Sequence, residues 1–136
     1  ILGKLGRKRA WAVHGKGPNN EGMDELSLCS ETKVSEWGSD EVNEFSIRPE
    51  DFDLSPCTLD DLKGGDPKEN AAIINSILSN EGDGPKRDIV ALNAAAGFVV
   101  TGIASDIGHG LEIAQRCIKD GTAMGKLDSL RNFKAN

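Results

Sequence analysis

The sequence predicts an α/β fold, and more specifically one end of a larger α/β sheet. Three observations carry that reading. Short alternating apolar-polar runs, two of them paired as a hairpin, fill the first third of the chain. Helical periodicity takes over from about residue 58. The opening "ILGKLGRKRA" has Ile1, Leu2 and Leu5 apolar, a glycine stop at Gly6 and basic residues after it, which is the end of a helix without a beginning. In a complete domain, strands followed by helices would indicate α+β. Here the chain starts without methionine, so residues are expected to be missing upstream through truncation, proteolysis or a cloning boundary.

"RAWAVHG" alternates into a first short strand ending at His14-Gly15, and "KGPNNEG" is a loop by its Gly, Pro and Asn content. "DELSL", residues 24–28, is predicted as a second short strand. "TKVSEWG" and "EVNEFSI" flank Gly38-Ser39-Asp40 and predict a β-hairpin with a three- or four-residue turn. Its charged positions Lys33, Glu36 and Glu44 suggest one wet face. After an irregular crossing, "RPEDFDLSPC", about five helices are predicted. A short one covers "TLDDLKG", and a second runs from Pro67 to about Leu78, with Ala71, Ile74, Ile77 and Leu78 on one side. The third, from about Lys86 to Thr101, is so rich in Ala and Val that it should be buried on most sides. A fourth spans about Ile107 to Asp120, and a fifth follows Thr122, with Met124, Leu127, Leu130 and Phe133 apolar.

Composition narrows the function. The 136 residues are 38% hydrophobic, enough for a modest core, and carry 16 Lys and Arg against 22 Asp and Glu, a formal net charge of -6. That balance argues against an electrostatic grip on nucleic acid or an anionic membrane. The longest apolar-rich run, "DIVALNAAAGFVVTGI", contains Asn93, Gly97 and Gly102 and is too polar for a membrane span. The opening does not read as a signal peptide, and Cys29, Cys57 and Cys117 are odd in number and widely spaced, so neither a disulfide framework nor a zinc site is supported. A reducing, cytoplasmic setting is the expectation.

Several motifs have plain structural readings. "KGGDPKENAA" looks like a phosphate loop, because Gly64-Gly65 precede a helix N-terminus. Asp66 as N-cap, Pro67 at the first helical position and Glu69 at the third explain it better as a capping box. Arg87 and Asp88 fall in a helix's first turn, where charges are commonly solvated or paired. Asn93 sits mid-helix among alanines, which favours a packing role with its amide hydrogen-bonded, and Ala94, Ala95 and Ala96 suggest close approach by another helix. His14 ends a strand, where α/β enzymes often place ligands, but an isolated histidine there is more commonly structural or exposed. His109 has still less to recommend it.

The adjacent acids in "NEGMDELSL" are the open case. Were residues 24–28 a strand, Asp24 and Glu25 would point to opposite faces, so at least one would meet solvent, a cation or a partner. A solvated loop-to-strand junction and a glycine-rich loop offering both carboxylates to a hard cation both fit.

Several phrases taken together resemble the C-terminal part of the anthranilate phosphoribosyltransferase family: G-M-D-E-L-S at residues 22–27, G-G-D-P-K-E-N-A at 64–71 and R-D-I-V-A-L-N-A-A-A at 87–96. The similarity covers essentially the whole chain, in the family's order. It implies a small helical domain and a larger, mostly parallel α/β domain, of which this chain would be the C-terminal portion. The implied activity transfers phosphoribosyl from phosphoribosyl pyrophosphate to anthranilate, giving N-(5-phosphoribosyl)anthranilate and pyrophosphate, a step of tryptophan biosynthesis. Asp24 and Glu25 match the family's Asp-Glu pair, which binds the two magnesium ions accompanying the pyrophosphate group. The family's G-T-G-G-D loop, N-x-S-T segment, K-H-G-N run and anthranilate-contacting arginine are not found in these 136 residues, nor is the helical domain through which it forms homodimers. The chain alone is therefore expected to be inactive, with no catalytic residue of its own. Two alternatives are a pyrimidine nucleoside phosphorylase relative, against which G-M-D-E-L-S argues, and a non-catalytic nucleic-acid-binding relative, against which the acidic charge argues.

Overall fold

Alternation of Trp11, Val13 and Gly15 with more exposed neighbours makes Arg9–Lys16 the strand β1. The computed structural model describes residues 3–82 and 84–133; Ile1 and Leu2, part of the helix-end expectation, lie outside them. Gly3–Leu5 forms a single 3-10 turn that stops at Gly6, whose φ of +77° only glycine adopts freely. β1 is followed by β2 (Gly22–Met23), β3 (Thr32–Gly38) and β4 (Glu41–Ile47), hydrogen-bonded in the order β2-β1-β3-β4. All three pairings are antiparallel, so the parallel strands that the resemblance implies are not among the pairings of the described residues.

Two local expectations are corrected. The hairpin turn has two residues, not three or four, because Gly38 pairs directly with Glu41. Ser39 and Asp40 both take positive φ, +53° and +63°, the left-handed geometry whose twist suits a two-residue hairpin. The expected wet face combines two faces: Lys33 and Glu44 are exposed, whereas Glu36 lies on the opposite side of β3 and is partly buried. There its Oε1 accepts hydrogen bonds from Arg9 Nε at 2.6 Å and Trp11 Nε1 at 2.8 Å.

The helices are α1 (Leu59–Leu62), α2 (Pro67–Leu78), α3 (Pro85–Val100), α4 (Ile107–Lys119) and α5 (Thr122–Arg131), as many as the periodicity predicts. A further 3-10 turn, Pro49–Phe52, lies in the crossing after β4. Side chains cap the starts of three helices. The Thr58 hydroxyl accepts the Asp61 N–H, Asp66 accepts the Lys68 and Glu69 N–H groups, and Asp106 accepts the His109 N–H. The Gly64-Gly65 phrase is thus a capped helix entry, as expected, and Asn70 secures it by bonding both backbone groups of Gly65.

The core lies between one face of the sheet and the α3–α4 pair. Val34 and Ile47 face Leu92, Ala95 and Val99 of α3 and Ile107, Leu111 and Ala114 of α4 in one apolar cluster. The alanines of α3 do admit a neighbouring helix: a Cβ on Gly110 of α4 would lie 2.8 Å from the Ala95 carbonyl oxygen. By contrast, α2 and α5 are marginal. Ile77 is the one buried residue of α2, Ile74 is half exposed, and Leu130 and Phe133 are 70% and 72% exposed.

Residues 24–28 do not form the predicted strand. They make a bent segment wedged between sheet and α3, with Leu26 and Leu28 at 2% and 0% exposure and Ser27 buried as well. Three consecutive buried residues are incompatible with a strand lying on a single core face. The apolar-polar alternation is real, but Ser27 enters the interior because its polar atoms find partners there.

Candidate functional site

The site is built on that wedge. Asp24 and Glu25 precede the buried Leu26, and both line one shallow cavity of about 430 Å³ with Trp11 and Val13 of β1 and Asn93 of α3. Because the segment bends, the two side chains are not forced onto opposite faces, and the burial argument against adjacent acids falls away.

Hydrogen bonds and one close backbone contact hold the wedge. Asn93 Oδ1 accepts the Leu26 N–H at 2.9 Å, and Asn93 Nδ2 donates to the Leu26 carbonyl at 3.0 Å and to the Ile89 carbonyl at 3.0 Å. The Ser27 N–H donates to Thr32 Oγ1 at 2.9 Å, and the Ser27 hydroxyl donates to the Lys16 carbonyl at 2.6 Å while accepting the Cys29 N–H at 2.9 Å. The Glu25 carbonyl packs onto Gly15, where a Cβ would lie 2.4 Å from its oxygen. Gly15 is thus required by close backbone approach, not by φ. The Cys57 N–H donates to the Leu28 carbonyl at 3.1 Å and closes the far end.

Among the described residues, Glu25 and Asp88 are the carboxyls that burial raises, and Glu25 is the one at this cavity. Burial, and then the charge of Asp24, push the Glu25 carboxyl above its ordinary value even though the residue as a whole is exposed. Several other acids are engaged, Glu31 with Arg48, Glu36 with Arg9 and Trp11, and Asp61, Asp66 and Asp106 as caps, whereas Asp40, Glu41, Asp53 and Glu112 are, like the pair, without such partners among the described residues. Among the described residues, neither Asp24 nor Glu25 forms an ion pair or accepts a side-chain hydrogen bond. Two neighbouring carboxylates, one destabilised in its charged form, suit a hard cation. No third His, Cys, Asp or Glu joins them among the described residues. A two-carboxylate donor set fits magnesium, which commonly keeps waters and substrate phosphates as its remaining ligands.

The remaining candidates are not brought to this cavity. His14 is interior to β1, not at its end, and is exposed opposite Lys33; His109 is exposed on the first turn of α4. Arg87 and Asp88 lie on the first turn of α3, where burial raises the Asp88 carboxyl. The three cysteines are free thiols, with Cys29 Sγ and Cys57 Sγ 3.8 Å apart. Asn93 is visible in the sequence as a polar residue among alanines, and Ser27 as the end of the G-M-D-E-L-S phrase, but the reach of neither is; Gly15 and Thr32 carry no distinguishing signal there. Among the described residues, no helix is long and apolar enough to cross a membrane.

The chain is similar to known proteins over nearly its whole length. The chain is 42% identical over 129 residues to anthranilate phosphoribosyltransferase of Desulfatibacillum aliphaticivorans, covering 95% of this chain and 37% of that protein. It is 44% identical over 130 residues to the Geotalea uraniireducens enzyme of the same name, covering 96% and 36%. The chain therefore spans little more than a third of the length of these relatives. Its fold is similar to the crystal structure of anthranilate phosphoribosyltransferase from Thermus thermophilus, with a TM-score of 0.81 and 38% identity over 93% of this chain and 36% of that one. It is also similar to the Saccharomyces cerevisiae enzyme in complex with PRPP and Mg, with a TM-score of 0.76 and 25% identity over 87% and 33%. The sequence profile described as "Glycosyl transferase family, a/b domain" matches residues 1–124. With a cavity walled by β1, the bent acidic segment and α3, and a family match over most of its length, this chain belongs to the glycosyl transferase family, a/b domain.

Proposed function

We propose that the chain is the C-terminal portion of an anthranilate phosphoribosyltransferase, and that Asp24 and Glu25 bind the magnesium, two ions by the family resemblance, that accompanies phosphoribosyl pyrophosphate. The observation that carries this reading is the pair itself: two neighbouring carboxylates without protein partners, held on a clamped segment at one cavity. A similar protein in complex with PRPP and Mg supports it.

In this reaction the bond from ribose C1 to the pyrophosphate oxygen breaks as the anthranilate amine attacks C1. Negative charge grows on pyrophosphate while the sugar becomes oxocarbenium-like, and bound magnesium supplies positive charge to the leaving group. Asp24 and Glu25 would hold that charge in place, working as ionised ligands. They are not general bases: neither is required to take a proton. Trp11 and Val13 form the apolar wall of the cavity.

The phosphoribosyl and anthranilate contacts are assigned to the rest of the enzyme, as is homodimerisation through a helical domain. Consequently the isolated 136-residue chain should leave anthranilate fluorescence unchanged when supplied with phosphoribosyl pyrophosphate and magnesium; measurable turnover would refute that part. In the complete enzyme, Asp24→Asn or Glu25→Gln should lower the rate and raise the magnesium requirement with folding preserved. Unaltered magnesium dependence in both variants would overturn the metal assignment.

A further inference from the structure

We infer that Asn93 is a positioning residue for the cation site, fixing the Asp24-Glu25 carboxylates through the backbone of Leu26. The inference rests on the reading of Asp24 and Glu25 as magnesium ligands.

The geometry is more specific than packing requires. A partly buried amide needs partners, and any would serve; Asn93 instead directs its carbonyl and one N–H to the N–H and C=O of a single residue, Leu26, 67 positions away in sequence. Its second N–H bonds the Ile89 carbonyl one turn back along α3, which fixes the side chain against its own helix. That helix is seated in the core by Leu92 and Ala95, both at 0% exposure.

The peptide unit between Glu25 and Leu26 is consequently held on both edges. Its N–H is bound by Asn93, and its carbonyl, that of Glu25, rests on Gly15 of β1. A planar peptide bonded at one edge and in close contact at the other resists rotation, so the Cα of Glu25 is held against sheet and helix together. Holding the backbone that carries Glu25 lowers the backbone part of the ordering entropy that a cation would otherwise have to overcome. Partners that orient ligating groups from behind in this manner commonly set metal affinity.

The test uses the complete enzyme that carries these residues, and the metal ions alone. Mn2+, a spectroscopic substitute for magnesium, is titrated while free Mn2+ is followed by electron paramagnetic resonance. Asn93→Ala should weaken binding about 10-fold, whereas Leu111→Val, which loosens the α3–α4 packing without touching the clamp, should leave it unchanged. Asn93→Ser replaces the alanine variant if that one lacks a cooperative melt. A measurement on the parent enzyme needs no variant: by reciprocity of coupled equilibria, saturating Mg2+ should slow Leu26 amide exchange about 10-fold as well. Parent-like Mn2+ affinity in the Asn93 variant, equal weakening in Leu111→Val, or Leu26 exchange indifferent to Mg2+ each overturns the inference. Loss of Mn2+ binding in Asp24→Asn and Glu25→Gln, with none in Asn93→Ala, refutes the positioning role alone. Parent-like affinity in both acid variants refutes the metal assignment beneath it.

Discussion

Asn93 hydrogen-bonds both backbone groups of Leu26, at 2.9 and 3.0 Å, and so joins the middle of α3 to the segment that carries Asp24 and Glu25. The contact explains an asparagine in the interior of an alanine-rich helix, where its intrinsic preference is poor. It also gives the Leu26 peptide groups, buried without a strand partner, the bonds they require.

Replacing Asn93 by the near-isosteric Leu leaves those two backbone groups unpartnered in a half-buried setting. We expect Asn93→Leu to destabilise the fold by about 2 kcal/mol. Urea denaturation followed by circular dichroism measures this; a change within experimental scatter would show that the bonds contribute little.

Gly15→Ala tests the other edge of the same peptide. Its Cβ would enter to 2.4 Å from the Glu25 carbonyl oxygen, and the Ser27 Cβ is only 3.1 Å away on the same side. The wedge must shift, at a cost of about 2 kcal/mol by the usual penalty for overpacking. Amide exchange should accelerate at residues 25–28 before it does in α4. Protection equal to the parent's at these amides would contradict the close approach.

Core packing predicts a larger loss at Leu92, which is fully buried among sheet and helix residues. Leu92→Ala should cost about 3 kcal/mol, with the range set by how far the site collapses. The Phe133→Ala variant, by comparison, removes a largely exposed side chain and should leave the urea midpoint nearly unchanged.

Acid stability should depend on the helix caps. The His109 N–H, then the Ser105 hydroxyl, hold the Asp106 carboxyl below its ordinary value; the Thr58 hydroxyl and then the Thr58 N–H do so for Asp61. A carboxyl lowered in the folded state stabilises the protein above its unfolded value, about 3.9, and loses that contribution as pH falls through the lower folded value. Asp106→Asn keeps a capping oxygen without the titration, so its melting temperature should fall less steeply than the parent's below about pH 4. Parallel curves would show that Asp106 plays no part in the acid transition.

At the alkaline end the sign reverses. Burial, then the contact with Cys29, push the Cys57 thiol up to about 12. The unfolded thiol ionises first, near its ordinary value of about 8.5. Stability is therefore full below that value and falls as pH rises toward 12. Cys57→Ala should flatten this slope, and in the folded parent Cys57 should be alkylated more slowly at about pH 8.5 than in urea. Equal alkylation rates in the two states would dispose of the idea.

Much of the fold is legible in the sequence because it depends on local chemistry. Pro67 preceded by Asp66 and followed by Glu69 marks a helix start wherever it occurs, and Ala94, Ala95 and Ala96 announce a close helix neighbour, found as Gly110. The hairpin is visible from two alternating runs, but not its two-residue turn, since Ser39 and Asp40 adopt positive φ without glycine. Leu26 and Leu28 are recognisably apolar, yet a strand does not form there, because Ser27 can be buried once Lys16, Thr32 and Cys29 supply its hydrogen bonds.

By itself, then, the sequence determined the strand-then-helix order, the caps, the acidic charge and the Asp-Glu pair with its family resemblance, all properties of neighbouring residues or of recurring phrases. Tertiary structure alone decided that Asp24 and Glu25 share one cavity wall, that His14 and His109 lie away from it, and that Asn93 and Gly15 hold the peptide between. Those are relationships between residues tens of positions apart, joined by hydrogen bonds and close contact that no local pattern encodes.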